Sequence, residues 1–275
     1  MKLIADSGST KTQWYVVRSA DSKAFRTIGF NPYFYTTASL IDTLRTVLHL
    51  EIPLLEIEAV QFYGAGCGDA TQRQKLQGAL AQLMPQATIE VQTDLLAAAR
   101  ATAGQQAGIC CILGTGSNSC YYDGNQIVDN LPSLGYLLGD EGAGAHLGRM
   151  LLQAYFYREM PAMVAAAMEQ QYEMNRVAIL NELIQSKTPN QYLASFADFA
   201  VDQKAQPFIQ GLIRQNMELF ITRHVQKYRM HGNLPVHFVG SIAKGFEFVL
   251  RPLLLEHGLA VGQIIKEPFP NLLHY

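Results

Sequence analysis

The residues Leu3-Ile4-Ala5-Asp6-Ser7-Gly8-Ser9-Thr10-Lys11-Thr12, followed at once by Gln13-Trp14-Tyr15-Val16-Val17, set the reading of the whole chain. An apolar run, a turn of small and hydroxyl residues and a second apolar run predict two strands joined as a hairpin. The turn is the size of a phosphate group. Gly8 lets backbone approach a ligand, Ser9, Thr10 and Thr12 offer hydroxyls, and the amides of such a turn can form an anion-binding nest. Asp6 meets the complementary need, because a carboxylate at a strand end can hold Mg²⁺ through water while the ion bridges phosphate oxygens. Taken alone, the stretch reads equally well as a polar hairpin turn with an incidental Asp.

The same layout returns in Ile109-Cys110-Cys111-Ile112-Leu113-Gly114-Thr115-Gly116-Ser117-Asn118-Ser119-Cys120-Tyr121-Tyr122. Two such hairpins, each opening a half of the chain, predict two related α/β domains that face each other across a cleft and each present a phosphate loop. We place the boundary between residues 106 and 107. The chain of 275 residues is long enough for two cores. Its 49% hydrophobic content and 16% charged content exclude disorder, and a formal net charge of −2 argues against a coat for nucleic acid or an anionic membrane. Cys67, Cys110, Cys111 and Cys120 show no C-x-x-C spacing, and the adjacent pair points to opposite faces of a strand. All four read as reduced, mostly buried thiols. Asp6 interrupts any signal-peptide core, and no stretch approaches the roughly 18 apolar residues of a membrane span, so a cytoplasmic protein is expected.

Phe25-Arg26-Thr27-Ile28 predicts a third strand, and Asn31-Pro32 leaves Asn31 on a loop. Thr37 to Leu50 has helical periodicity, Ala59-Val60-Gln61-Phe62-Tyr63 reads as a buried strand ending in the loop Gly64–Gly68, Ala70 to Met84 as a helix, and Thr88–Gln92 as a strand. Thr93-Asp94 then opens the helix former Leu95–Ala101. Asp94 is either a helix cap or a carboxylate at a strand's C-terminal end, available as a general base.

In the second half, Asp123-Gly124-Asn125 predicts a turn into Gln126-Ile127-Val128. The stretch Ser133–Gly144 is dense in glycine and contains Asp140-Glu141; a cap is one reading, and close approach of backbone to a ligand accounts for the glycines better. Pro161 to Tyr228 is mainly helical, with breaks at Thr188-Pro189-Asn190 and Pro207, and reads as an insertion. Val236–Ala243 returns to strand, turn and helix, with Gly240-Ser241 in a tight turn, and Leu259–Gly262 predicts an edge strand.

With these residues in place, the chain resembles the ATP-binding superfamily of actin, Hsp70-type chaperones and sugar kinases. Within it the resemblance is to the N-acetylglucosamine kinase branch grouped with BadF/BadG/BcrA/BcrD-type ATPases. Asp6–Thr12 resembles its first phosphate motif, Leu113–Asn118 its second, and Phe238–Lys244 its adenosine motif. Thr93-Asp94 falls where that family keeps its catalytic Asp, and Gly139-Asp140-Glu141-Gly142 resembles its acidic sugar-side loop. The Ser133-Leu134-Gly135-Tyr136 segment departs from the aromatic and glycine pattern common before that loop.

The resemblance implies two actin-like (ribonuclease H-like) ATPase domains, with a helical insertion in the second and the last residues packing back on the first. It implies Asp94 as catalytic base and Asp6 as the anchor of Mg²⁺ through water. Gly8, Ser9, Thr10, Gly114, Thr115, Gly116, Ala194, Gly240 and Ser241 would contact ATP, while Asn31, Asn118, Gly135 and Asp140 would orient a sugar. ATP and a sugar or amino sugar are the implied partners, with no nucleic acid, no membrane and a homodimer. The implied reaction is transfer of the γ-phosphate to a 6-hydroxyl, N-acetylglucosamine or a related amino sugar being the acceptor. Two alternatives stay open: an activator ATPase coupled to electron transfer, whose relatives hold an iron–sulfur cluster through cysteines, and a sugar sensor without catalysis.

Overall fold

A computed structural model describes residues 1–8, 11–18 and 21–274. Ser9 and Thr10, both expected in the first phosphate loop, lie outside the described residues. The chain divides into two compact units, Met1–Ala97 and Ala98–Tyr275. The division falls inside a helix, upstream of the 106/107 boundary read from sequence.

In the first unit, β1 (Lys2–Ser7), β2 (Lys11–Arg18), β3 (Asp21–Ile28), β4 (Ala59–Gly64) and β5 (Thr88–Thr93) form a sheet of order β3-β2-β1-β4-β5. β1 to β3 are an antiparallel trio, and β4 and β5 join parallel to β1. Helices α1 (Thr37–Leu48) and α2 (Ala70–Leu83) pack against one another. α1 forms because Leu40, Leu44 and Leu48 recur every fourth residue and are buried, while Thr36 and Ser39 close a capping box over its first turn. Asp69 caps α2 by accepting from Gln72 N at 3.0 Å. The core centres on Trp14, which is fully buried, stacked on Phe25 at 6.1 Å and edge-on to Phe30 and Phe62. Its indole N–H donates to Thr27 Oγ1 at 2.8 Å, so burial leaves no polar atom unpaired.

The second unit repeats the topology. β6 (Gly108–Leu113), β7 (Ser117–Tyr122), β8 (Ile127–Asp129), β9 (Pro235–Val239) and β10 (Ala260–Ile265) make a sheet of order β10-β9-β6-β7-β8, the same sequence of pairings read from the other edge. α3 (Asp94–Ala103) leads into it, and the glycine-dense stretch holds one unexpected helical turn, α4 (Gly135–Leu138). α5 (Gly144–Phe156), α6 (Ala162–Gln171), α7 (Arg176–Gln185), α8 (Pro189–Ser195), α9 (Ala197–Asp202) and α10 (Pro207–Arg223) build the helical insertion. α11 (Ser241–Gly245) and α12 (Glu247–Glu256) separate the last two strands. Pro189 and Pro207 stand in the first turns of α8 and α10, where a missing N–H is no loss. Near the chain's end, Asn271 Nδ2 donates to the Ala101 carbonyl of α3 at 2.8 Å.

All four cysteines are buried and none is in a disulfide. Cys120 lies mid-strand in β7, directly opposite Cys110. Among the described residues no helix is long and apolar enough to cross a membrane.

Candidate active site

Parallel pairing fixes which loops gather at one end of each sheet. In the first unit Ser7, Gly64 and Thr93 lie in one row across β1, β4 and β5. The hairpin turn after β1, the loop after β4 and the start of α3 after β5 therefore share an edge. Strands are about 4.8 Å apart, so Thr93 stands roughly 10 Å from Ser7, two strands away.

Ser7 is the pin of this edge. Its hydroxyl is paired with Thr12 Oγ1 at 2.7 Å and accepts from Phe30 N at 3.0 Å, and its carbonyl accepts from Ala65 N at 2.9 Å. The turn is closed by Gly8 N donating to Lys11 O at 2.9 Å. Asp6, one residue earlier, is half-buried. Asn31 caps the short turn that follows it by accepting from Tyr33 N at 3.1 Å, and its amide lies against Gly66, where a Cβ would collide with it.

The ambiguity at Asp94 is resolved by Thr93. Leu96 N donates to Thr93 Oγ1 at 3.1 Å, so the threonine caps α3 and the aspartate does not. Asp94 instead opens the helix, and its Oδ1 accepts from Leu95 N at 2.9 Å. Burial pushes its carboxyl above the ordinary value, against the lowering effect of the Leu95 amide and its own. Cys67, in the loop after β4, is close enough to feel that charge. Burial first and Asp94 second push the thiol up to about 12, so it stays a neutral neighbour.

In the second unit the equivalent row is Ile112, Val239 and Ile265. The loop after β6 is tied by Gly114 N to Gly116 O at 3.0 Å, and its carbonyls accept from the first amides of α5: Gly144 N to Gly114 O at 2.8 Å, Ala145 N to Thr115 O at 3.0 Å. Ala194 and Ile242 both lie within 3.4 Å of a Cβ placed on Gly144, which brings α8 and α11 to this loop. Gly240 has φ +135, and a Cβ there would overlap the Leu113 carbonyl, so the turn after β9 requires glycine. Ser241 begins α11 beside it.

Asp140 folds back over the same loop. It adopts a left-handed backbone, φ 60, uncommon outside glycine, and is held there by Ser117 N donating to Oδ1 at 3.0 Å and by Ala143 N donating to its carbonyl at 3.1 Å. Its carboxylate sits where any Cβ on Gly116 would crowd it, at 3.0 and 3.1 Å. Burial raises the Asp140 carboxyl, partly offset by the Ser117 amide. For Glu141 burial also acts upward, but its own amide, Arg223 and His224 outweigh it and hold that carboxyl below its ordinary value. Arg223 Nη1 pairs with Glu141 Oε1, and His224 Nε2 lies 3.5 Å from Oε2.

These residues border a cavity of about 250 Å³. Ser117, Ser133, Asp140, Glu141, Arg223 and His224 are its polar lining residues; Leu131, Pro132, Leu134 and Leu138 are its apolar ones. Asn118 sits on β7 with its amide oxygen accepting from Ser119 N and Asn130 Nδ2. Gly135 opens α4, its carbonyl accepting from Gly139 N at 2.8 Å. Neither is among the lining residues.

Sequence reasoning missed Ser117, Asn216, Arg223 and His224 as parts of this site. Asn216 is buried in α10, where its Oδ1 accepts from Gly142 N at 2.8 Å and from His146 Nδ1 at 2.7 Å, and its Nδ2 donates to Ala143 O at 3.2 Å. It ties the acidic loop to a helix more than seventy residues away in sequence. A polar Asn on the Ile213, Met217, Phe220 face of an otherwise apolar helix stripe was the available signal.

Comparison with solved structures places this geometry. A putative N-acetylglucosamine kinase from Porphyromonas gingivalis superposes with a TM-score of 0.93 at 37% identity, over 100% of this chain and 98% of that one. The chain belongs to the N-acetylglucosamine kinase-like family. A putative N-acetylglucosamine kinase from Chromobacterium violaceum aligns at a TM-score of 0.70 and 19% identity, covering 99% of this chain and 97% of that one. The ROK hexokinase from Thermus thermophilus aligns at 0.54 and 12%, over 96% and 92%. These two share the fold. No protein-family model matches the sequence, and neither does any curated protein. This family member thus has the two-sheet α/β architecture of the actin-like sugar kinases.

Proposed function

We propose that this chain is an ATP-dependent sugar kinase that transfers the γ-phosphoryl group to the 6-hydroxyl of N-acetylglucosamine or a related amino sugar. The observation that carries the reading is Asp94: its neighbour Thr93 caps α3, leaving the carboxylate at the C-terminal edge of the sheet with a raised proton affinity. A general base gains strength when its pKa rises toward the working pH. The full-length likeness to the Porphyromonas gingivalis protein supports the same chemistry.

Asp94 takes the proton of the attacking hydroxyl. The turns at Gly8 and at Gly114–Gly116 contact the phosphates, with Ser9, Thr10 and the side chain of Thr115 as further contacts. Ala194, Gly240 and Ser241 border the nucleoside. Asp140 orients sugar hydroxyls, with Asn31, Asn118 and Gly135 as the remaining sugar-side residues. Among the described residues no three His, Cys, Asp or Glu side chains gather into a metal cage. The Asp6 carboxylate near the β1 end suits an ion that keeps most of its waters, as magnesium does. Bound there with ATP, magnesium would neutralise phosphate charge.

The test is ATP consumption coupled to product mass over a panel of hexoses, N-acetylhexosamines and muramic-type sugars. Phosphate transfer to one sugar, abolished in Asp94→Asn with ATP affinity nearly intact, is expected. ATP hydrolysis without a phosphosugar would favour the activator ATPase, and an equally active variant would remove Asp94 from its role. All four cysteines are buried, which gives that ATPase reading no accessible cluster ligands.

A further inference from the structure

A second cavity, of about 310 Å³, lies within the second unit and shares no lining residue with the 250 Å³ one. Ile109 and Val236 line it and are partners across β6 and β9. Each is the second residue of its strand, so the cavity stands at the strands' N-terminal edge, whereas the loops at Gly114 and Gly240 follow their C-terminal ends. At about 3.3 Å per residue the two edges are roughly 13 Å apart along β6. Val225, Tyr228, Leu234 and Leu259 supply the rest of an apolar lining. The Tyr228 hydroxyl is engaged elsewhere, donating to Ser119 O and accepting from Leu131 N, both at 2.9 Å, so this phenol brings no free polar end to the cavity. The volume falls at the lower end of the range of small-molecule sites, about 300–1,000 Å³.

Among the described residues that line it, Arg229 alone is charged. Arg229 belongs to the 3-10 helix Val225–His231, and its Nη2 donates to the His257 carbonyl at 2.8 Å. His257 directly precedes Gly258 and Leu259, two further lining residues, so the guanidinium reaches from one side of the cavity to the other. Among the described residues no carboxylate comes within ion-pair distance of it; those beside His257 are taken, Glu218 by His257 Nε2 at 2.6 Å and Glu256 by Arg214. A guanidinium has five N–H donors and keeps its charge, so one carbonyl leaves most of its donors to water. A carboxylate replaces that water with two parallel charge-assisted hydrogen bonds. A sugar would bring many hydroxyls to a mostly apolar lining, and a neutral hydrocarbon would leave the guanidinium unused. We propose that this cavity is a binding site for a small apolar monocarboxylate, separate from the sugar and nucleotide site, with the carboxylate on Arg229 and the hydrocarbon body against Val225, Tyr228, Leu234 and Leu259. The assignment does not depend on the kinase reading.

Isothermal titration of the full chain with octanoate and with its neutral analogue octanamide tests the site without any turnover. Octanoate is expected to bind one to one with a Kd below about 1 mM. Octanamide should bind more weakly by about fivefold or more, the scale of one bidentate ion pair at a partly exposed position. Arg229→Gln should weaken octanoate by the same factor and leave octanamide unchanged, whereas Leu234→Trp, which fills the cavity, should abolish binding of both. Arg229 is exposed, so its variant folds and carries the test even where the tryptophan is not accommodated. ATP and N-acetylglucosamine, added in excess, should leave octanoate bound. Binding weaker than about 1 mM, equal affinity for acid and amide, or an Arg229→Gln variant with the parent's affinity would overturn the assignment. So would unaltered binding by a folded Leu234→Trp variant, or complete displacement by ATP or the sugar, which would put the acid in the substrate site.

Discussion

Replacing Asn216 by leucine keeps the side chain's size and its place in the α10 core but removes both polar ends. Two buried groups then lose their partner, the Gly142 N–H and His146 Nδ1, while the Ala143 carbonyl keeps the bond from Leu147 N at 3.1 Å. At about 1–3 kcal/mol for each unpaired group, full loss would reach roughly 2–6 kcal/mol. The lower part of that range applies, because the imidazole can turn and the loop can shift, so we expect about 2–3 kcal/mol. Urea unfolding followed by far-UV circular dichroism is the suitable assay. The single tryptophan, Trp14, lies in the first unit and reports on that unit, so its emission serves as an internal comparison. The same loop carries Asp140 and Glu141, and the sugar KM should rise along with the loss of stability. A destabilisation below about 1 kcal/mol would refute the claim that Asn216 anchors the acidic loop.

Thr93→Ala removes the hydroxyl that caps α3 and should cost about 1 kcal/mol; it also leaves Asp94 as the one side chain able to bond the vacant helix amides, so kcat should fall more than stability alone explains. A variant with unchanged kcat would show that the cap and the base are independent. Asp94→Asn should raise the melting temperature at pH 7 while abolishing phosphoryl transfer. The sign follows from linkage: the folded carboxyl is raised above its ordinary 3.8, so its stabilising protonated state is fully present below that value and is lost as pH rises to the folded pKa. Melts of parent and variant should therefore converge toward pH 4, and a constant difference between pH 4 and pH 7 would contradict the buried-carboxylate account. Activity should show an acid limb from the same group, absent from ATP binding measured alone.

Much of this protein is local in origin. Apolar runs of five or six residues around a Gly/Ser/Thr turn can fold only as hairpins, and their repetition at Leu3 and Ile109 announces two like sheets, which the matching strand orders bear out. Capping and proline signals likewise act within a few residues, which is why α1, α2, α8 and α10 begin close to where periodicity places them. The domain division and the roles of the individual site residues are another matter. At Thr93-Asp94 two neighbours compete for one set of helix amides, and only the placed side chains decide that the threonine takes the cap. The polar wall of the cavity joins Ser117 and Asp140 to Arg223 and His224, residues brought together because α10 packs its Asn216 face against the acidic loop. Such contacts have no sequence period and no short-range spacing. They arise when buried polar groups must find partners across the fold, as the Gly142 N–H and His146 find theirs on Asn216.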